Sequence, residues 1–159
     1  MRAAVVTIST SKARGMGEDE SGRRLTELAS RIGAEVVGAE VIPDDRGLIE
    51  ERLRFLADEE RCELVMTTGG TGFAPSDVTP EATLAVIERQ APGIGEAMRA
   101  ASRDHTRHWM LSRAVAGIRG STLIINFPGS PASIEQSGEA IAEAMPHALE
   151  LISGRHSPH

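Results

Sequence analysis

Short apolar runs alternate along the chain with stretches whose apolar residues recur every three to four positions. Ala3 to Ile8 is a run of the first kind and ends in the Ser/Thr/Gly-rich stretch Ser9 to Gly17. Leu25, Leu28, Ala29 and Ile32 then fall at i, i+3, i+4 and i+7, the spacing of one helical face. Strand, loop and helix are predicted in that order. Gly33 marks a helix stop, Glu35 to Ile42 is rich in β-branched residues, and Ile49, Leu53 and Leu56 line one face of a second helix. Leu64 to Thr68 predicts a third strand that breaks into Gly69-Gly70-Thr71-Gly72. Thr79-Pro80-Glu81 reads as an N-cap, a proline at the first helical position and an acid in the first turn, so a third helix is expected from Pro80 to Arg89. Gly93 to Asp104 predicts another helix, and Ala114 to Ile118 and Thr122 to Phe127 predict strands around an Arg119-Gly120 turn. Ile134, Ile141, Met145, Leu149 and Ile152 share one face of a single final helix.

This alternation predicts an α/β, single-domain doubly wound fold: a mainly parallel sheet with helices on both faces, over residues 1–153, followed by a disordered tail at 154–159. Composition narrows the function. The formal net charge of −6 argues against a nucleic-acid partner, because phosphate neutralisation needs a surplus of Lys and Arg on some face. Basic residues do gather locally, with Lys12 and Arg14 in the first loop and Arg99, Arg103, Arg107 and Arg113 in a middle segment, which leaves room for an anion site. Cys62 is the only cysteine, so neither an internal disulfide nor a cysteine-rich metal knuckle is available. No apolar run approaches membrane-span length and the first residues lack signal-peptide architecture, so a soluble, cytoplasmic protein with no membrane partner is expected.

In an open parallel sheet, ligands bind beyond the carboxyl ends of the strands, which directs attention to the loops Ser9 to Gly17, Gly69 to Thr79 and Asn126 to Pro131. The glycines of Gly69-Gly70-Thr71-Gly72 let backbone N–H groups approach a phosphate or ribose; the alternative is an ordinary tight turn. No Gly-Lys-Ser/Thr sequence follows, so a Walker-type lysine is absent. Asp77, just ahead of a helix, would repel a nearby phosphate unless a cation joined them, and Mg²⁺ commonly bridges carboxylates to nucleotide phosphates. Its other reading is a helix-end charge. Asp44 and Asp45 form a second acidic pair at the same end of the sheet, with Asp45 the better candidate for capping the helix that follows. His105 and His108 stand at i and i+3, but nothing nearby completes a metal-ligand set, and Trp109 and Met110 read as packing residues or a subunit contact.

The segment Thr67-Thr68-Gly69-Gly70-Thr71-Gly72, followed by Asp77-Val78-Thr79-Pro80-Glu81-Ala82, closely resembles the signature of the MogA/MoaB family of molybdopterin adenylyltransferases, to which the gephyrin and Cnx G domains are related. Ile42-Pro43-Asp44, Pro92-Gly93, Leu111-Ser112-Arg113, Gly117-Ile118-Arg119-Gly120 and Leu123 to Ser130 match in the same order. The resemblance implies transfer of AMP from Mg-ATP to the terminal phosphate of molybdopterin, giving adenylated molybdopterin and pyrophosphate. It implies Asp77 and Asp44 as the functional acids and Mg²⁺ contacts. Gly69, Gly70, Thr71 and Gly72 fall on the adenylate side with Pro128, Gly129 and Ser130, while Ser112 and Arg113 fall near the pterin phosphate and Ser9 is the first-loop serine. It further implies a homotrimer or hexamer, with Gly93 to Trp109 as a candidate contact, and hand-over of product to a molybdate-insertion enzyme. A non-catalytic molybdopterin-binding or scaffold module is the alternative on the same fold. The chain departs from the pattern at Ser76 and at Ala132-Ser133, where basic residues are common, and at Thr10, where an Asx commonly follows the first-loop serine.

Overall fold

In the computed structural model, which describes residues 1–155, strands β1 (Arg2–Ile8), β2 (Glu35–Ile42), β3 (Leu64–Thr68), β4 (Arg89–Gln90), β5 (Ala116–Arg119) and β6 (Thr122–Phe127) form one sheet in the order β2-β1-β3-β6-β5-β4. The first four strands in that order run parallel, whereas β5 and β4 are antiparallel to their neighbours. The helices are α1 (Thr10–Ala13), α2 (Glu20–Arg31), α3 (Arg46–Asp58), α4 (Thr79–Val86), α5 (Pro92–Ser102), α6 (Pro131–Ala142) and α7 (Met145–Ser153). Among the described residues no helix is long and apolar enough to cross a membrane.

Side chains alternate across the sheet and feed two cores. Ala3 and Val5 of β1, Leu64 and Met66 of β3, and Leu123, Ile125 and Phe127 of β6 face α2, α6 and α7, packing on Leu25, Leu28, Ile134, Ile141 and Leu149. Ala4, Val6 and Ile8, Val65 and Ile124 face the other way, toward Ile49, Leu53 and Leu56 of α3 and Ala82 and Val86 of α4. Burial on both faces is why these strands read as continuous apolar runs. Each fully buried Leu, Ile or Phe contributes about 1.5–3 kcal/mol. The exception inside β6 is Asn126, wholly buried, whose amide donates to Thr67 Oγ1 (3.1 Å) and Thr83 Oγ1 (2.9 Å) and accepts from Val115 N (3.1 Å). That network ties β3, β6 and α4 together.

The structure departs from the pattern reading at several places. The first loop contains the short helix α1, capped by Ser9. Thr79 is not an N-cap: Val78 holds that position without a side-chain bond, and Thr79 Oγ1 instead donates to Gly69 O at 3.0 Å. The third helix ends at Val86 rather than Arg89, because Glu88 N and Ala91 N donate to Ile118 O and Ala116 O and draw Arg89–Gln90 into the sheet. The expected final helix is two helices, since Pro146 supplies no N–H to continue the ladder across Glu143 and Ala144. Gly154 closes α7 in the left-handed conformation and Arg155 ion-pairs with Glu63 at 2.8 Å; residues 156–159 of the expected tail lie outside the described residues.

Candidate active site

The parallel strands β2, β1, β3 and β6 all end at one side of the sheet, so the segments leaving Ile42, Ile8, Thr68 and Phe127 meet there. Hydrogen bonds knit them. Thr68 Oγ1 donates to Pro128 O (2.7 Å), Gly69 N to Phe127 O (3.2 Å), and Ser21 Oγ of α2 to Gly129 O (2.7 Å). A Cβ built on Gly129 would lie 3.5 Å from Gly69 Cα, so the two glycine-bearing loops touch. Ser130 Oγ caps α6 by accepting from Ser133 N (3.1 Å), and Ser9 Oγ accepts from Lys12 N (3.3 Å) in α1. Both serines therefore serve as helix caps.

The Asp44 carboxylate is clasped by the first loop. Its Oδ2 accepts from Thr10 N and Thr10 Oγ1, both at 3.0 Å, and the same hydroxyl accepts from Asp44 N at 3.0 Å. Oδ1 lies toward the glycine loop, 3.2 Å from where a Cβ on Gly70 would stand, and Gly70 is at φ +67°. Only glycine combines that backbone with that approach. Asp45 caps α3 through Leu48 N at 2.9 Å, as its position predicts.

Asp77 sits across the same loop. Its Oδ2 accepts from Ala74 N (3.0 Å) and would lie 2.8 Å from a Cβ on Gly72, so a side chain there would displace the carboxylate. Arg113 braces this segment from the antiparallel side of the sheet: its side chain donates to Gly72 O (2.8 Å), Asp77 O (2.8 Å) and Glu81 Oε1 (2.5 Å), and its backbone N donates to the carbonyl of buried Thr71 (2.8 Å). The fork expected to grip a substrate phosphate thus has three of its donors engaged by the protein itself. The guanidinium beside Glu81 holds that carboxyl below the ordinary glutamate range, with burial opposing it. Ser112 adjoins a cavity of about 200 Å³ with Trp109, Pro128 and Ser133, while Phe73, Asp77, Glu81 and Arg113 line another of about 370 Å³. A larger cavity of about 720 Å³ between α2 and α6 holds none of the expected site residues.

Every glycine, serine and acid expected at the site therefore lies in the segments at this end of the sheet, with Ser112 and Arg113 entering from the segment that leads into the antiparallel strand β5. Pattern reading missed the roles of Thr10, Ser21, Thr68 and Thr79, hydroxyls whose partners lie ten or more residues away in the chain. His105 and His108 do not share a helix: α5 ends at Ser102, and His108 precedes a 3₁₀ turn at Trp109–Leu111. No group of three or more His, Cys, Asp or Glu able to hold a metal occurs among the described residues.

The chain is thus an open α/β sheet whose parallel strands end at a glycine loop lying between two carboxylates. Comparison with known proteins gives the family. Residues 4–147 match the family described as "Probable molybdopterin binding domain". The molybdopterin adenylyltransferase of Helicobacter pylori (strain J99) is 42% identical over 154 residues, covering 96% of this chain and 88% of that protein. The molybdopterin adenylyltransferase of Escherichia coli (strain K12) is 39% identical over 168 residues, covering 97% and 86%. The crystal structure of the molybdopterin biosynthesis enzyme MoaB from Thermus thermophilus superposes with a TM-score of 0.90 at 42% identity over 96% of each chain. The chain belongs to this molybdopterin-binding family, together with the MogA and MoaB proteins.

Proposed function

We propose that the chain is a molybdopterin adenylyltransferase of molybdenum cofactor biosynthesis, moving AMP from ATP to the terminal phosphate of molybdopterin with release of pyrophosphate. The observation that carries this reading is the glycine loop held between Asp44 and Asp77, with no side chain at Gly70 or Gly72 to fill the space beside either carboxylate. The molybdopterin phosphate is the nucleophile and is already ionised near neutral pH. A general base is therefore unnecessary, and the work left to the protein is alignment and charge neutralisation.

Gly69, Gly70, Thr71 and Gly72 offer backbone to the adenylate, Pro128, Gly129 and Ser130 close it from the end of β6, and Ser112 faces the pterin phosphate, with Ser9 shaping the first loop. The two carboxylates suit Mg²⁺, which takes one or two carboxylates and completes its shell with phosphate oxygens and water. Asp44 and Asp77 would hold it, and it would neutralise the triphosphate. The protein acts as a homotrimer or hexamer and passes its product to a molybdate-insertion enzyme.

The test is incubation of the purified protein with molybdopterin and Mg-ATP, following pyrophosphate and adenylated molybdopterin together. The two products form in step. Tight molybdopterin binding without either product would overturn the enzyme reading in favour of a carrier or scaffold module.

A further inference from the structure

The clasp between Thr10 and Asp44 joins residues 34 positions apart, yet it involves both the backbone and the side chain of each. The Thr10 hydroxyl is donor and acceptor at once: it gives its proton to Asp44 Oδ2 and receives the Asp44 N–H, both at 3.0 Å. The Thr10 N–H supplies Oδ2 with a second donor at 3.0 Å. The platform beneath is itself anchored, since Ser9 N donates to Ile42 O (2.9 Å) and Ala13 N to Ser9 O (2.9 Å). Asp44 is only half-buried, and the last torsion of an aspartate side chain is intrinsically broad. With two donors on Oδ2, that oxygen is committed to the protein. Oδ1 is the one turned toward Gly70.

We infer that Thr10 is the positioning residue of Asp44, fixing the plane of its carboxylate so that the free oxygen faces the glycine loop. The inference rests on reading Asp44 as a site acid. Removing the hydroxyl strips one donor from Oδ2 and the acceptor from Asp44 N. The last side-chain torsion, intrinsically broad, is then less restrained, and a group that must be prealigned samples several orientations. Serine keeps the hydroxyl and so keeps the clasp, whereas valine keeps the shape and loses it.

The experiment compares Thr10→Val and Thr10→Ser by adenylyl transfer, thermal unfolding and amide hydrogen exchange. Thr10→Val lowers kcat/KM about tenfold, the order expected from one hydrogen bond to a charged group, and lowers the melting temperature by a few degrees at most, leaving the protein folded at the assay temperature. Thr10→Ser stays within about twofold of the unmodified protein. Placed on Asp44→Ala, Thr10→Val adds less than about a twofold further loss, because the two residues act as one unit. Exchange of the Asp44 amide quickens in the valine variant and not in the serine variant. Full turnover in Thr10→Val, equal impairment in Thr10→Ser, or an undiminished loss on Asp44→Ala would each overturn the inference. An unmodified protein that makes no adenylated molybdopterin would strike the adenylyl-transfer reading instead. Amide exchange then decides the clasp: quickening confined to valine supports it, and equal exchange in all three proteins overturns it.

Discussion

Asp44 and Asp77 flank the same four residues of chain but are held in opposite ways. Asp44 is fixed through its carboxylate, which the neighbouring loop grips with a hydroxyl and an amide. Asp77 is fixed mainly through its main chain: one carboxylate oxygen closes a local turn onto Ala74 N, while Arg113 pins the Asp77 carbonyl and, on the other side of the turn, the Gly72 carbonyl. One acid is aimed directly and the other rides on a braced loop. A site needing two acids at set positions can therefore place one by side-chain chemistry and one by loop geometry, and the two are vulnerable to different substitutions.

The largest expected effect is at Asp77. Asp77→Asn keeps an oxygen for Ala74 N and should leave unfolding unchanged, while adenylyl transfer falls by about 100-fold or more through loss of charge. Steady-state rates beside a melting curve check this, and retained turnover would remove Asp77 from any metal role. The next effect is at Arg113. Arg113→Lys keeps a positive charge near Glu81 but cannot span Gly72 O and Asp77 O together, so kcat should drop about tenfold with little change in KM for molybdopterin. A rise in KM alone, with stability untouched, would instead assign Arg113 to the anionic substrate and dissolve the contrast between the two acids.

The smallest effect is a pH dependence. Arg113 lowers the folded-state pKa of Glu81, so the unfolded chain takes up that proton more readily. The bridge's contribution is complete above the ordinary glutamate value and is lost as pH falls through the lowered one. It is small, because the two side chains remain 34% and 38% exposed and solvent screens them. Glu81→Gln should flatten this part of the acid unfolding profile, measured by denaturant titration at several pH values, and leave neutral stability almost unchanged.

What was legible in the sequence divides along local and distant lines. The strands Leu64–Thr68 and Thr122–Phe127 coincide with the apolar runs because they are buried on both faces, whereas the largely exposed edge strand Glu35–Ile42 was legible from its β-branched residues. Asp45 was legible as a cap, since its partner Leu48 is three residues away. The family resemblance located the two acids and the glycine loop. What stayed hidden were partnerships across the fold. Arg113 looks like a free cation until Gly72 O, 41 residues earlier, is placed against it, and Thr10 looks like a loop hydroxyl until β2 brings Asp44 alongside. Arg89–Gln90 reads as a helix end because its strand partner lies in β5. The broken final helix was a local misreading, since Pro146 stood in the sequence throughout, and so were Thr79 as an N-cap and the first loop as wholly irregular.

The bond from Ser21 Oγ to Gly129 O spans 108 residues. For a chain made from its N-terminus, this orders events in time. The β1-α2-β2 unit, with Thr10 and Asp44, is out early and can pair, while the floor contributed by Phe127 to Ser130 is still unmade. Closing so long a loop is slow compared with the local pairings, so the cleft is among the last parts of the fold to form. Even where Thr10 and Asp44 have already met, the glycine loop lacks its floor until Phe127 to Ser130 arrive, so the two halves of this end of the sheet are joined only with completion of the domain.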